Sequence, residues 1–465
     1  MEQISKSISK LNGFQRWDYR FHQKKFNELD EKLSKSPYPV YSLNDVTSQV
    51  IDGTHFTPEY TDSSGVLFLM ARNVRPFEVN LDEVTYISKS EHQKIIRCKP
   101  QTGDVIVTKD GTIGVAAVVP EGLPEFNIFV SLIKIRPKSL IAPHYLAAFL
   151  NSELGQLQIQ QQIKGASITH IHLEDIRRLR IPLPSPDIQE RIARELQDAY
   201  KARREKLIEI DKLFDELDKT VTGELGLKLE DLSRDKIYSR SISKLARWDI
   251  TYSLPYYMDL EEMVASSRFP SKPLGEVVNI SKDTINPKDK PDEYITYVEI
   301  GDVDARFAEV VSPQQIQGKD APSRARKLVK TGDIVTAVSG ALTGTKKQST
   351  FIVPESLNHA VVSTGFAVIR STENMLPGYI LALLCSDFFL KMIWRRKTGA
   401  AIPAISDEEF RNIPVPIPPN EIQVKITAAL LSSREKTKRL QIDAESMITI
   451  AKERVERMLL GDATG

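Results

Sequence analysis

Cysteine is almost missing from this chain: Cys98 and Cys385 are the only two in 465 residues. So far apart, they supply neither a disulfide framework nor a Cys-x-x-Cys metal spacing, and a reducing, cytosolic setting is expected. Histidine is scarce too, with seven residues, and only His170 and His172 lie close together, so no zinc site is expected. No run of about 18 apolar residues is present to cross a membrane. The start, Met1-Glu2-Gln3-Ile4-Ser5-Lys6, has no apolar core of a secretory signal. Charge of one sign is lacking as well, since 63 Lys and Arg against 62 Asp and Glu leave +1. That excludes a broadly polycationic nucleic-acid coat but not local basic patches.

Catalytic motifs are absent in the same way. An adenine amino-methyltransferase needs an Asn/Asp-Pro-Pro-aromatic run, and neither Asn286-Pro287-Lys288 nor Pro418-Pro419-Asn420 supplies it. No Gly-x-Gly-x-x-Gly opens a nucleotide-binding βαβ unit. In Ser339–Lys347 the glycines are too close for a phosphate loop and no Gly-Lys-Ser/Thr follows. Asp30-Glu31-Lys32 sits in a helical stretch, poorly placed for nuclease metal ligands. The chain is not expected to be an enzyme by itself, nor to hold a cofactor.

What is present is one unit written twice. Arg16-Trp17-Asp18 returns as Arg247-Trp248-Asp249, and Thr102-Gly103-Asp104-Val105-Ile106-Val107-Thr108 returns as Thr331-Gly332-Asp333-Ile334-Val335-Thr336. Ile181-Pro182-Leu183-Pro184 with Ile188-Gln189 returns as Ile413-Pro414-Val415-Pro416 with Ile422-Gln423. The matches lie roughly 230 residues apart, far above solenoid periods, so each copy is domain-sized. Trp17 and Trp248 read as packing anchors, with Asp18 and Asp249 capping or pairing.

Each copy begins with short β-rich runs, such as Val66–Met70, Asp104–Thr108 and Val115–Val119, broken by Gly, Pro, Asn and Asp. Helices follow near Tyr145–Leu150 and Tyr379–Lys391. Prolines then stiffen a connector, Pro182 to Pro186 and Pro414 to Pro419. A long charged helix closes each copy. Leu207, Ile210, Phe214, Leu217 and Val221 keep the 3-4 spacing of a coiled-coil seam. The second helix carries a broken seam of Ile422, Ile426, Ala429, Leu440, Met447 and Ile450, interrupted by Ser433, Lys436 and Asp443. The two helices are expected to pair antiparallel; two separate amphipathic helices are the alternative.

Candidate nucleic-acid contacts come from the turns. Lys109 and Thr112 lie in Lys109-Asp110-Gly111-Thr112-Ile113-Gly114, and Ser339, Thr343, Thr345, Lys346 and Lys347 lie in the matching stretch. Glycines let backbone N–H groups approach a phosphate, and Lys, Ser and Thr add donors; a plain hairpin turn explains the same glycines. A second pair of polar stretches offers Lys164, Ser167 and His170 in one copy and Arg395, Arg396 and Lys397 in the other. Three adjacent cations fit a phosphate backbone, or equally a helix C-terminus favoured by the macrodipole. Arg72-Asn73 follows an apolar strand, with Glu299-Ile300-Gly301-Asp302 at the equivalent place. Arg and Asn are the side chains that read guanine and adenine, and acidic ones accept from cytosine.

This order of motifs, taken together across nearly the whole chain, resembles the specificity subunit of a type I restriction–modification enzyme. The resemblance implies an α+β fold of two duplicated β-rich target-recognition domains, separated and joined by two long antiparallel coiled-coil helices. Boundaries follow at 1–184 and 226–417 for the domains, the recognition parts being about 37–184 and 269–417, and at 185–225 and 418–465 for the helices. It also implies a phage-defence complex. By the same resemblance, double-stranded DNA is expected to be read as a bipartite, gapped sequence. Two methyltransferase subunits bringing S-adenosylmethionine, and motor–nuclease subunits needing ATP and Mg²⁺, are implied as partners. The second connector departs from the first by an extra pair of residues between Pro416 and Glu421. Two other readings stand beside it: a recognition subunit of another phage-defence methyltransferase system, and a coiled-coil scaffold whose twin β-domains bind proteins.

Overall fold

The structure, a computed structural model, describes residues 24–163, 169–229, 249 and 252–462. The chain divides into two compact units, Met1–Lys206 with Ile442–Gly465, and Leu207–Gln441.

In the first unit the Thr-Gly-Asp strand lies inside a four-stranded antiparallel sheet. Its order is Thr47–Asp52, Leu132–Pro137, Val105–Thr108, Ala116–Val118. Side chains alternate across a strand, and here both faces are covered. Val105 and Val107 pack with the helix Pro143–Asn151, while Ile106 packs with Leu67, Leu69 and Ile128 of a second sheet. That explains a strand buried at every position. The helix is apolar all round for the same reason, with Tyr145 to Leu150 all buried. Gly103, at φ +86°, makes the turn before the strand. Asp104 accepts the Gln101 amide at 2.8 Å and both Arg136 nitrogens at 2.8 Å. The motif is therefore structural in origin: a left-handed glycine and a buried carboxylate that ties the turn to a neighbouring strand.

The second unit repeats this sheet as Asn279–Ile280, Phe366–Arg370, Ile334–Ala337, Thr350–Ile352. Gly332 (φ +83°), Asp333 and Arg370 reproduce the turn. The single helix expected near Tyr379–Lys391 is two, Pro377–Cys385 and Asp387–Arg396. The Ser386 hydroxyl turns back to the Leu383 carbonyl at 2.6 Å, as Ser152 does to Phe149 after Pro143–Asn151.

The second sheets have diverged. Each keeps one parallel pair, Val66–Leu69 with Phe126–Ile128 and Tyr294–Val298 with Val361–Ser363. Each also sets an antiparallel strand on the far side of that pair, Thr85–Ile87 beside Val66–Leu69 and Gln314–Gln317 beside Tyr294–Val298. The first unit then adds Tyr60–Thr61 beside Thr85–Ile87, whereas the second adds Ala325–Leu328 beside Val361–Ser363.

The connectors end in matched locks. Strand Arg180–Pro182 pairs with Val40–Ser42, and Pro414–Pro416 with Ser271–Pro273. The Tyr145 hydroxyl donates to the Pro182 carbonyl, and Tyr379 to Pro416 at 2.8 Å. Gln189 accepts the Ala142 amide (2.9 Å) and donates to the Leu140 and Pro184 carbonyls. Gln423 accepts the Leu376 amide (2.8 Å) and donates to the Asn374 and Pro418 carbonyls. These locks correct the expected insertion in the second connector. Pro182 matches Pro416 and Pro184 matches Pro418, with each glutamine five residues beyond the proline carbonyl it bonds. The connectors are therefore equal in length, and the Ile-Pro-x-Pro match was two residues out of register.

The long helices are Pro186–Leu225 and Asn420–Leu459, of 40 residues each, and each passes from one unit into the other. Within the first unit Glu195 meets Arg454 and Lys206 meets Asp443. Within the second, Ser433 reaches the Leu213 carbonyl and Lys425 meets Glu224. Partner numbers fall as the first helix advances, so the pair is antiparallel. Ile210 and Val221 are buried as the spacing predicts. The second seam differs from expectation. Met447 and Ile450 are exposed, and the buried positions are Ile426, Leu430, Ser433, Thr437, Gln441, Ala444, Ala451 and Val455. Small and short polar side chains face inward there, and several large apolar ones face outward.

Candidate nucleic-acid interface

At one end of the first unit's sheet, the ends of Thr47–Asp52 and Val105–Thr108 meet the start of Leu132–Pro137. Ser131 is the hub. Its carbonyl accepts the Lys109 amide (2.8 Å) and its hydroxyl accepts the Ala71 amide (3.1 Å). The turn after Asp52 is fastened by Gly53 N–H to Leu132 O, Thr54 N–H to Ile128 O and Val130 N–H to Thr54 O. Asp110 bridges His170, which brings the described end of the second stretch picked out from the sequence to this end of the sheet. The second unit repeats the pattern. Val338 N–H bonds Gly365 O, Ser339 bridges Ala404, and the Ser349 hydroxyl bonds Ile300 O.

The candidate side chains divide by exposure. Arg72, Thr112, Lys346 and Lys347 are exposed. Arg72 leans on the Glu83 carbonyl at 3.3 Å. Lys346 is paired with Asp215 at 2.8 Å, a hydrogen bond that raises its pKa. Ser339, Thr345, His170 and Lys397 are half-buried. Thr345 donates to the Leu342 carbonyl, His170 lies edge-on to His172, and Lys397 sits over the Trp394 ring while donating to the Thr343 carbonyl. Lys164 and Ser167 lie outside the described residues, as do Trp17, Asp18 and Trp248. Asp249 accepts the Tyr252 amide at 3.3 Å, a capping bond.

Four candidates are turned inward. Asn73 is fully buried: its amide oxygen accepts the Met70 N–H, and its nitrogen donates to the Asn80 and Asp82 carbonyls. Asp302 fills the same place, accepting the Glu299 N–H at 2.7 Å. Being acceptor-only, it draws donors from Ser312 and Gln314 instead of carbonyls. Thr343 is buried. Arg395 is buried against Glu261, the Tyr252 carbonyl and the Tyr252 ring, and Arg396 against Glu261 and Glu409. Two of the three adjacent cations expected on a phosphate backbone, Arg395 and Arg396, are thus ion-paired in the interior, because their helix packs on Pro255–Ala265.

Lys109 is also committed. Its ammonium lies 2.9 Å from Asp52, whose other close neighbour is His55 Nε2, again at 2.9 Å. Burial alone would raise the Asp52 pKa; the Lys109 and His55 contacts outweigh it and hold the carboxyl below its ordinary value. Sequence reasoning missed the loop this fixes, in which Phe56 and Tyr60 are exposed beside His55. A Gly followed by His, Phe and Pro between two strands was the available signal. It also missed exposed Leu342, Trp394 and Ile402 in the second unit. Among the described residues no cluster of three or more His, Cys, Asp or Glu is placed to hold a metal.

The type I restriction modification DNA specificity domain matches this chain twice, over residues 21–212 and 267–442. The chain belongs to this family of type I specificity subunits, whose business is DNA sequence specificity. A candidate type I restriction enzyme MjaX specificity subunit of Methanocaldococcus jannaschii is 20% identical over 451 residues, covering 95% of this chain and 96% of that one. The type I restriction enzyme EcoBI specificity subunit of Escherichia coli is 28% identical over 137 residues, and that alignment spans 29% of each protein. The S subunit of a type I restriction-modification system from M. genitalium superposes with a TM-score of 0.44 at 13% identity, over 91% of this chain and 96% of that one.

Proposed function

We propose that each unit reads one half of a bipartite, gapped double-stranded DNA sequence through the loops gathered at the end of its first sheet. The recognition parts are residues about 37–184 and 269–417. The helical segments 185–225 and 418–465 fix the interval between half-sites and dock two adenine methyltransferase subunits, which motor–nuclease subunits join. The chain contributes recognition and no chemistry of its own.

One observation carries this reading. The two copies keep the same loop scaffold and the same Gln and Tyr locks, yet present different exposed side chains: His55, Phe56 and Arg72 in one, Leu342, Lys347 and Ile402 in the other. A conserved frame with divergent contacts suits an asymmetric target. Exposed lysines and arginines would set register on phosphates while a few side chains read base edges.

The test is a duplex titration of the full chain assembled with its methyltransferase partner, between about 50 and 200 mM salt. Affinity is expected to fall steeply along a straight log–log line. Affinity that ignores salt, or no binding, favours the protein-binding scaffold.

A further inference from the structure

We propose that His55 is a base-reading, specificity-determining residue of the first unit, positioned by Asp52 and Lys109. This rests on the DNA-recognition reading above. A carboxylate can only accept, so the ring nitrogen facing Asp52, Nε2, carries the hydrogen. In the neutral ring Nδ1 is then the remaining acceptor, on a side chain that is 65% exposed. Lys109 (13% exposed) and Asp52 (10% exposed) form the inner end of the chain of contacts. Their charges compensate each other, so the carboxylate stays fixed without attracting a further cation.

The backbone is as constrained as the side chain. A Cβ on Gly53 would stand 2.2 Å from the Ile128 carbonyl oxygen, so the strand must turn there through glycine. The Thr54 hydroxyl holds the Phe56 carbonyl at 3.3 Å. His55 and Phe56 therefore project from a loop anchored on both sides. That is the arrangement in which a hydrogen-bond acceptor can discriminate an exocyclic amine, adenine N6 or cytosine N4, at a base edge.

The second unit lacks the device. Val338 stands where Lys109 does, its amide bonded to Gly365 as that of Lys109 is to Ser131, so the side chain at that place carries no ammonium to hold a carboxylate. The contact is a feature of one half of the molecule, so it should govern one half of the target.

The test selects bound sequences from a randomised duplex library, using the full chain assembled with its methyltransferase partner, for wild type and His55→Ala. Unchanged melting temperature checks folding. The expected result is a preference relaxed by about fivefold or more at one base pair of one half-site, with the other half-site unaltered. Lys109→Met should disturb the same position, because it frees Asp52. If wild type selects a gapped sequence and His55→Ala selects it identically, or binds all sequences uniformly more weakly, the proposal is overturned alone. If wild type selects no sequence at all, the DNA-recognition reading falls, and the proposal with it.

Discussion

Gln189 and Gln423 hold their units together by the same three hydrogen bonds, each joining a helix start, a proline connector and a long helix. Both are buried, so Gln→Ala strands carbonyls and an amide away from water, at a cost of about 1–3 kcal/mol. Differential scanning calorimetry should show either variant melting several degrees lower. Asp52 gives a pH prediction. Its folded-state pKa is depressed, so its contribution to stability is present above the unfolded carboxylate value of about 3.9 and is lost as pH falls through the folded value. Acid unfolding of Asp52→Asn should lack that part of the slope in stability against pH. The proline connectors and the Gln repeats were legible in the sequence because they are local and duplicated. The Ile-Pro-x-Pro match was nevertheless two residues out of register, since Pro182 is equivalent to Pro416 and not to Pro414. The burial of Asn73, Arg395 and Arg396 was not legible, since their partners Asp82, Glu261 and Glu409 lie as much as 135 positions away. A run of cations looks the same whether it meets phosphate or glutamate.

At the level of elements, glycine positions separate packing from freedom. A Cβ on Gly344 would lie 2.8 Å from the Trp394 backbone nitrogen, whereas Gly340 faces open space. Both have positive φ, so Gly→Ala strains each, but Gly344→Ala must also push the loop off the helix Asp387–Arg396. Its melting temperature should fall clearly below that of Gly340→Ala. In the second long helix Thr437 is wholly buried, with no hydrogen-bond partner for its hydroxyl among the described residues. Thr437→Val removes a desolvated hydroxyl at equal shape, and should be neutral or stabilising by up to about 1–3 kcal/mol in the same calorimetry. Element types were readable from a β-branched run, as in Val105–Thr108, and from a dominant helical period, as in Pro186–Leu225. The inward face of the second helix was misread at Met447 and Ile450 because reasoning followed large apolar residues. The seam there is made of Ala444, Ala451 and short polar side chains, whose inward direction only the partner helix decides.

For the whole molecule, the duplication was legible at once, since matched motifs recur in one order along the chain. What the loops touch was not, because their side chains differ between copies. If the helices set the interval between half-sites, four residues inserted within 190–215 lengthen that helix by about 6 Å and should widen the unread gap by one or two base pairs; an unchanged gap would count against a ruler. The most direct measurement co-expresses the chain with its methyltransferase subunit and maps methylated adenines across a genome by modification-sensitive sequencing. Methylation confined to one gapped, two-part sequence is the predicted result. No methylation, with the subunits verified as assembled, would contradict it.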